Sequence, residues 1–494
     1  MEKANNSAYD DYINEIKLAS LEQRRGELEV RLGQGRLEVD HIKVQEIEAQ
    51  LANIFAELKP QTSIKLEYPS PLDEAAFYGL AGEIVKSIEP HSEADPAALL
   101  SNFLTAFGNI IGAGTWFMIG TDRHYFKIFC VFVGDTAKGR KGMSWSPIRA
   151  IFREVDPDWT QERIQTGLSS GEGVIYHVRD EVYKKVPDKN NTGALEEVLS
   201  DEGISDKRLL IIEGEFAQTL KVLRRETNTL SPVLRNAWDS GNLQTLTKNS
   251  PIKATGAHIS IIGHITKTEL IRALNEIETG NGFANRFLWF CVDRSKELPF
   301  GGDFSKIDLD SLTKKLREAV EFAQQAGEIK WAEEAKPLWE SIYPELSEGK
   351  PGIVGAITAR AEAQVTRVAC IYALLDLSTE IKPAHLRAAI AVWSYVEDSV
   401  RFIFQNKAGD PTANKILSAL EVRPQGMSRT EINNLLGGHF SSTQIDEALD
   451  SLRVLNLARR KDTETGGRSV ERWFFVKRNA EKAEKGLSEG AYSA

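Results

Sequence analysis

The spacing of hydrophobic residues predicts two helices at the start of the chain. Residues 8–59 carry two apolar seams with alternating three- and four-residue spacing, separated by Gly33-Gln34-Gly35 and ended by Pro60. That spacing is typical of amphipathic helices, and the glycines and the proline mark their limits. Each seam covers about two heptads, which favours a helical hairpin or docking arm over a long coiled coil. We therefore expect a helical arm over residues 1–65.

Short apolar runs then alternate with helical patterns along the middle of the chain. A helical stretch over residues 75–113 comes first. Strands are predicted at the apolar runs 125–133, 208–212, 258–263 and 286–292. Strands that alternate with helices indicate a mostly parallel sheet covered on both faces. This pattern predicts an α/β core over residues 66–300.

The pattern is helical again over residues 301–408, where Ala-, Leu- and Val-rich stripes at 358–377 and 385–404 predict a helical subdomain. Residues 409–478 then form a small unit of their own. Ile416, Leu417 and Leu420 indicate one helix, and Ser428 and Ser441 open two more in the manner of helix caps. A basic hairpin turning at 465–467 follows, so three helices and a two-stranded wing predict a winged-helix domain. The charged, Gly- and Ser-containing tail over 479–494 is predicted to be disordered.

Composition narrows the class of protein. The 494 residues carry a net charge of −10, which excludes a uniformly basic nucleic-acid coat. Cys130, Cys291 and Cys370 lie far apart in apolar contexts and are expected to be buried thiols. The N-terminus lacks a secretory pattern, and no apolar run approaches 18 residues. We expect a soluble, cytoplasmic protein with no membrane partner.

The first candidate site follows the first predicted strand, where a glycine-rich loop leads into a helix. This order of elements is the context of a phosphate-binding loop, in which backbone N–H groups and basic side chains hold phosphate oxygens. The loop carries arginine and lysine where lysine and a hydroxyl residue are usual, so the hydroxyl could come from Thr136 or Ser144. The loop is predicted to bind ATP through Gly134, Thr136, Lys138, Gly139, Arg140, Lys141, Gly142 and Ser144.

Two groups of acidic residues could act on a bound nucleotide. Glu213 and Glu215 end an apolar strand, the position where a nucleotide-hydrolysing enzyme holds Mg²⁺ and polarises water. The alternative is that these carboxylates simply meet solvent. Glu172 lies in Gly171-Glu172-Gly173 and is a second candidate for the catalytic acid. Its alternative is a helix start, with Ser169 or Ser170 as the cap and Glu172 in the first turn.

Two further polar positions lie at strand ends. His264 and Thr266 follow the apolar run at 258–262 and could sense the terminal phosphate, although His264 could equally be a structural donor. Arg286 enters the last strand from a glycine-rich loop, with no carboxylate close in sequence. That setting suits an arginine finger that reaches the nucleotide of a neighbouring subunit. The alternative is an ordinary arginine at a strand edge.

Taken together, these segments resemble a family of RecA-like ATPases encoded by plasmids, phages and integrated elements. Many members carry a primase-polymerase module in front and are described as replicative helicases or as domains of unknown function. The likeness covers about residues 72–405. The segments that carry it are 134–142, 167–173, 209–216, 247–250, 256–266 and 282–287.

The resemblance implies a ring-forming, ATP-driven DNA motor that uses Mg²⁺ and is most simply a hexamer. It implies that the loop from Gly134 to Lys141 cradles phosphates and that Glu213 or Glu215 manages Mg²⁺ and water. His264 would be the sensor and Arg286 the finger. A primase or another replication protein is the partner expected for the N-terminal arm.

Two other functions remain open. One is a DNA-binding initiator or regulator that uses a degenerate nucleotide site as an assembly switch. The other is a ring ATPase of anti-phage defence. For DNA contact the candidate is the wing, because residues 451–478 carry eight basic residues against three acidic ones, a local net charge of +5. Its predicted DNA-binding residues are Arg459, Arg460, Lys461 and Arg468.

Overall fold

The computed structural model describes a large part of the chain after residue 67. The described residues are 68–134, 141–187, 195–225, 228–246, 251–274, 281–350, 352–404, 411–437, 440–454, 457–463 and 470–476. They all belong to one compact unit, Tyr68–Ala494. The predicted arm over 1–65, most of the predicted phosphate loop and the tail over 479–494 lie outside the described residues.

Helices occupy both flanks of the predicted core and most of the region after it. In chain order the α-helices are α1 (Gly79–Ile88), α2 (Pro96–Ile110), α3 (Trp145–Val155), α4 (Pro157–Glu162), α5 (Gly171–Tyr176), α6 (Phe216–Leu223), α7 (Leu230–Asp239), α8 (Lys267–Ala273), α9 (Leu309–Gln325), α10 (Lys336–Ser347), α11 (Gly352–Thr358), α12 (Ala361–Leu375), α13 (Pro383–Phe404), α14 (Pro411–Glu421), α15 (Arg429–Leu435) and α16 (Ser442–Val454).

Strands are short and spread along the chain. They are β1 (Thr115–Ile119), β2 (Asp122–His124), β3 (Phe129–Gly134), β4 (Ile164–Gln165), β5 (Val182–Pro187), β6 (Leu195–Asp201), β7 (Arg208–Glu213), β8 (Leu243–Gln244), β9 (Lys253–Ala254), β10 (His258–Thr266), β11 (Phe287–Cys291), β12 (Gly327–Trp331), β13 (Glu380–Ile381), β14 (Met427–Ser428), β15 (Ala458–Thr463) and β16 (Val470–Phe475).

A five-stranded parallel sheet forms the centre of the α/β region, as the alternation of strands and helices predicts. Its strand order is β11-β3-β10-β7-β4, and each neighbouring pair is parallel. The four strands predicted from apolar runs are β3, β7, β10 and β11, which confirms all of them to within a few residues. They are almost continuously buried because helices cover the sheet.

Helix α2 packs against this sheet and is itself buried along its whole length after Pro96. Its Asn109 donates from Nδ2 to the carbonyl oxygens of Leu209 and His258, at 3.1 and 3.0 Å. Asn109 also accepts from the indole N–H of Trp159 at 2.9 Å. One buried amide therefore joins the first residues of β7 and β10 to α2, with both of its polar groups satisfied.

The single helix predicted over 75–113 is two helices. A turn at Glu89–His91, which contains Pro90, separates α1 from α2, because proline cannot continue the hydrogen-bond ladder of α1. Asp95 caps α2 as the Asp-Pro pair predicts, accepting from the Ala97 N–H at 2.8 Å.

A second sheet, in the order β13-β12-β1-β2, was not predicted. Strands β1 and β12 pair in parallel, with Thr115 opposite Gly327. The helical prediction over 301–408 is therefore right for α9 to α13 but wrong at β12 and β13. These strands are short, and their partners lie far away in sequence, so local periodicity does not reveal them.

Residues 411–476 contain α14, β14, α15, α16, β15 and β16 in that order. The three strands form an antiparallel sheet in the order β14-β16-β15, with Arg460 opposite Trp473. Ser428 caps α15 in a complete capping box with Glu431, as the sequence predicts. The predicted turn at 465–467 lies outside the described residues.

Cys130, Cys291 and Cys370 are buried and form no disulfide with one another, as expected. Among the residues that the structure describes, none of the helices combines the length and the apolar character that spanning a bilayer requires.

Candidate functional site

The candidate residues of three strands meet at one edge of the parallel sheet. Strands β3, β10 and β7 run in the same direction, so their carboxyl ends lie side by side. The register places Thr266 opposite Gly134, and Glu213 opposite Gly263. In open parallel sheets, ligands bind at this carboxyl edge. The structure therefore brings the predicted phosphate loop and the predicted acids to the same edge.

The loop is described only at its two ends. Strand β3 is buried throughout and ends at Gly134, and the chain is described again from a 3-10 turn at Lys141–Ser144 that leads into α3. Gly142 is exposed in this turn. Thr136, Lys138, Gly139 and Arg140 lie outside the described residues. The strand before the predicted loop and the helix after it are thus both present, in the predicted order.

Ser144, a predicted phosphate and metal ligand, lies inside the protein. It is fully buried, and its Oγ accepts from Asn102 Nδ2 of α2 at 2.9 Å. The hydroxyl of Ser144 therefore ties the start of α3 to α2.

Glu213, a predicted Mg²⁺ ligand, holds a neighbouring loop. Its Oε1 accepts from the backbone N–H groups of Gly167 and Leu168, at 2.5 and 2.8 Å. Gly167 has a φ of +91°, a backbone conformation that glycine adopts without strain. The carboxylate therefore joins the end of β7 to the loop that follows β4.

Glu215 is an exposed carboxylate at this edge. It precedes α6 but makes no capping hydrogen bond with its side chain. Strand β7, which Glu215 follows, does not neighbour the loop strand β3, because β10 lies between them. Neighbouring strands lie about 4.8 Å apart, so β7 and β3 are separated by about 10 Å across β10. The register places Glu213 level with Val131 and not with Gly134, so the end of β7 lies further still from the end of β3. Glu215 and the described ends of the predicted loop thus lie at the same edge of the sheet, but not on neighbouring strands.

Glu172 occupies the first turn of α5, as its structural alternative predicts. Ser170 caps this helix by accepting from the Gly173 N–H at 3.0 Å. The Glu172 carboxylate accepts from Thr229 Oγ1 at 3.0 and 2.9 Å. A Cβ added at Gly171 would lie 2.7 Å from Thr229 Oγ1, so α5 approaches Thr229 too closely for a larger residue. The described contacts of Glu172 position α5 against Thr229.

His264 and Thr266 both lie on β10, in the middle of the sheet. His264 is buried, with its ring 5.4 Å from that of Phe132. Thr266 caps α8 in a complete capping box with Glu269. Thr266 is also in register with Gly134, the start of the phosphate loop. Of the two, Thr266 lies closer along the strand to the edge where a nucleotide would bind.

Arg286 is not at this edge. It directly precedes β11 and therefore lies at the amino edge of the sheet, a strand length away from the loop. The premise that it lacks a carboxylate partner in its own chain is wrong. Its Nη2 lies 2.6 Å from Asp239 Oδ2, and its Nε donates to Asp239 Oδ1 at 3.3 Å. Asp239 is 47 positions away, so sequence proximity did not reveal it.

Arg286 belongs to a group of basic residues around Trp238 that sequence reasoning missed. The guanidinium groups of Arg367, Arg360 and Arg286 lie 3.4, 5.1 and 5.6 Å from the centre of the Trp238 ring. Burial lowers the pKa of Arg367 to about 9. The buried Lys127 donates to the Ala237 carbonyl at 2.5 Å, and burial holds its pKa well below the usual value.

The basic wing residues are exposed. Arg459, Arg460 and Lys461 all lie on β15. Side chains alternate along a strand, so Arg459 and Lys461 share one face. Arg460 lies on the other face, where its Nη1 is 3.7 Å from Glu471 Oε2. Arg468 lies outside the described residues.

Comparison with family models found no match for this chain, and comparison with curated proteins found none either.

Proposed function

We propose that the chain binds ATP with Mg²⁺ at the carboxyl edge of a RecA-like core and hydrolyses it to move along DNA. The observation that supports this most is the position of the phosphate loop. The chain leaves the inner strand β3 at Gly134 and is described again at Lys141 before α3. The exposed Glu215 lies at the same edge of the sheet, beyond one intervening strand. Phosphoryl transfer needs positioning and charge more than covalent chemistry, and this edge can supply both.

In this proposal each residue has a limited task. The loop from Gly134 to Gly142 holds the phosphates through backbone N–H groups and through Lys138, Arg140 and Lys141. Glu215 accepts a proton from the attacking water or orients it. Mg²⁺ would neutralise charge on the phosphates, with Thr136 as the first choice for a hydroxyl ligand and Glu213 as a carboxylate near it. Thr266 and His264 line the edge between them.

Equilibrium binding of a fluorescent ATP analogue tests the site. We expect Lys141→Ala to weaken binding on the order of ten-fold, because a charged hydrogen bond to phosphate is lost. Arg140→Ala combined with Lys141→Ala should weaken it further. Lys184→Ala, an exposed lysine on β5, is the matched control and should bind like the parent. Parent-like affinity of the double variant would refute the site.

We further propose that residues 411–476 form a winged-helix domain that contacts DNA. The support is the order of its elements and the exposed Arg459 and Lys461 on one face of β15. Helix α16 would enter a groove while the wing follows phosphates. The motor and the wing would then serve replication of a mobile element, as the family resemblance implies.

A DNA-binding regulator that does not hydrolyse ATP is the second candidate. Two observations favour it: Ser144 is buried against Asn102, and Glu213 Oε1 holds the loop at Gly167 and Leu168. Both groups would otherwise be candidates for metal coordination. The ring ATPase of anti-phage defence shares the same site chemistry, so genomic neighbours separate it from the replication motor.

A further inference from the structure

A cleft of about 750 Å³ opens away from the carboxyl edge. Its walls come from β1 and the residue after it, the end of β12, helix α10 and the start of α12, together with Asn285, which lies two residues before β11. Small-molecule sites commonly have volumes of about 300–1,000 Å³. The size therefore suits a ligand of nucleotide dimensions.

Aromatic side chains form a continuous ladder along one wall. Trp331 and Trp339 stack with ring centres 4.9 Å apart, and Tyr343 meets Trp339 edge-on at 5.5 Å. Phe117 meets Trp331 from the other end at 5.8 Å. Tyr343 is 46% exposed. Trp339 and Tyr343 are four residues apart on α10 and so lie on the same face of that helix.

Positive charge lies beside this ladder. Arg360 lines the cleft, donates from Nε to Asn285 Oδ1 at 3.0 Å, and lies 3.7 Å from Asp239 through Nη1. Arg286 makes the closer pair with the same Asp239. Arg367 and Lys127 lie buried behind them. Among the ion pairs of the described residues, Asp239 is thus shared by Arg286 and Arg360. The positive charge of the basic residues here exceeds the single negative charge of the Asp239 carboxylate.

Such an arrangement is costly until an anion enters the cleft. Burial and the neighbouring Arg286 lower the pKa of Arg360, while Asp239 raises it. An anion beside Arg360 would relieve this repulsion. Glu362 also lines the cleft and would keep the anion on the Arg360 side.

We propose that this cleft binds a nucleotide unit of single-stranded DNA. The base stacks on Trp339 and Tyr343, and its phosphate pairs with Arg360. Aromatic stacking combined with basic residues that follow the backbone is how single strands are bound without sequence preference. The inference rests on the proposed function for the identity of the polymer, but its contacts do not involve the ATP site.

The test is fluorescence anisotropy of a labelled oligothymidylate with the full chain, without ATP. Trp339→Ala should weaken binding on the order of ten-fold, the effect of losing one stacked base. Trp339→Phe should keep most of the parent affinity, because it retains an aromatic ring. Arg360→Gln should flatten the slope of log K against log salt by about 0.7, the value for one phosphate contact on a single strand.

The matched controls lie on the neighbouring strands β1 and β2 but outside the cleft. Arg123 stacks on Trp116 at 4.0 Å, so Trp116→Ala and Arg123→Gln remove the same residue types without changing the cleft. They should bind the oligonucleotide like the parent. Thermal melting checks that each variant is folded, and the Phe and Gln variants keep the test decisive if Trp339→Ala is unstable.

Cleft variants that match their controls in affinity and salt slope would overturn the proposal. The proposal would also be overturned if thymidine monophosphate, at the same concentration of nucleotide units, displaced the oligonucleotide completely. The cleft would then be a site for small nucleotides. ATP hydrolysis measured on the same samples separates this outcome from the proposed function. If DNA stimulates ATP hydrolysis but the cleft variants bind the oligonucleotide like the parent, the cleft proposal is refuted and the proposed function is not. Weakened binding in a chain that hydrolyses no ATP supports the cleft and refutes the motor.

Discussion

Individual side chains are predictable in type and place along a strand, but their partners are not. The sequence located Glu213, Glu215 and His264 at strand ends. The structure places Glu213 at the end of β7, Glu215 just beyond it, and His264 inside β10, which continues to Thr266. The sequence did not reveal that Arg286 pairs with Asp239, because a contact across 47 positions depends on the packing of α7 against the sheet. Arg286 therefore forms an ion pair within its own chain. A role as an arginine finger requires it to contact a neighbouring subunit while it stays paired with Asp239.

His258 makes the stability of the core depend on pH. Its Nε2 lies 2.7 Å from the Gly108 carbonyl oxygen, and burial lowers its pKa to about 3. The unfolded chain binds the proton near pH 6.5, so the free energy of unfolding is highest above that pH and falls as pH drops towards 3. The loss is about 1.4 kcal/mol per pH unit within this window.

Chemical denaturation between pH 7 and 4.5 measures this effect. We expect His258→Gln to reduce the slope attributable to this group, at the cost of lower stability at pH 7. His91→Gln, a histidine outside the core, should keep the steep acid limb. An identical pH slope in the parent and in His258→Gln would contradict the linkage.

Among the helices and strands, the continuous apolar runs were the most predictable features. β3, β7, β10 and β11 are apolar between turn signals, and a parallel sheet buries such runs on both faces. The order of the strands was not predictable, because it is set by how helices pack in three dimensions. The position of β10 between β3 and β7 keeps these two strands about 10 Å apart.

Strand β15 allows a direct test of DNA contact by the wing. Replacing Arg459 and Lys461 by Gln should weaken duplex binding and reduce its salt slope by about 2, because two phosphate contacts are lost. The matched control replaces the exposed Lys184 and Lys185 on β5, outside this module, by Gln. A double variant with the affinity and slope of the control would make the module a protein-docking element.

At the scale of the whole molecule, the proposed motor would complete its ATPase site between neighbouring subunits. Arg286 lies at the edge opposite the phosphate loop, so within one chain it cannot approach the nucleotide bound there. A ring, most simply a hexamer, would place it against the nucleotide of a neighbour.

Mixing two inactive variants tests this assembly. Arg286→Ala and Glu215→Gln subunits should each be inactive alone and should regain part of the ATPase activity together, because some interfaces again contain both groups. Asp239→Asn is the control, because it removes the Arg286–Asp239 ion pair and keeps Arg286. It should keep activity if the contact of Arg286 with a neighbouring nucleotide matters more than the ion pair. The absence of complementation, together with a monomer by light scattering with ATP and Mg²⁺, would refute the ring.

The most direct measurement is ATP turnover by the full chain and by Glu215→Gln, with and without single-stranded DNA, alongside ATP binding on the same samples. We predict that the parent hydrolyses ATP, that DNA accelerates it, and that Glu215→Gln binds ATP normally but turns over about 100-fold more slowly. Glu172→Gln should remain active, since Glu172 contacts Thr229. A parent that binds ATP but never hydrolyses it, or a Glu215→Gln variant with unchanged turnover, would contradict the proposed motor.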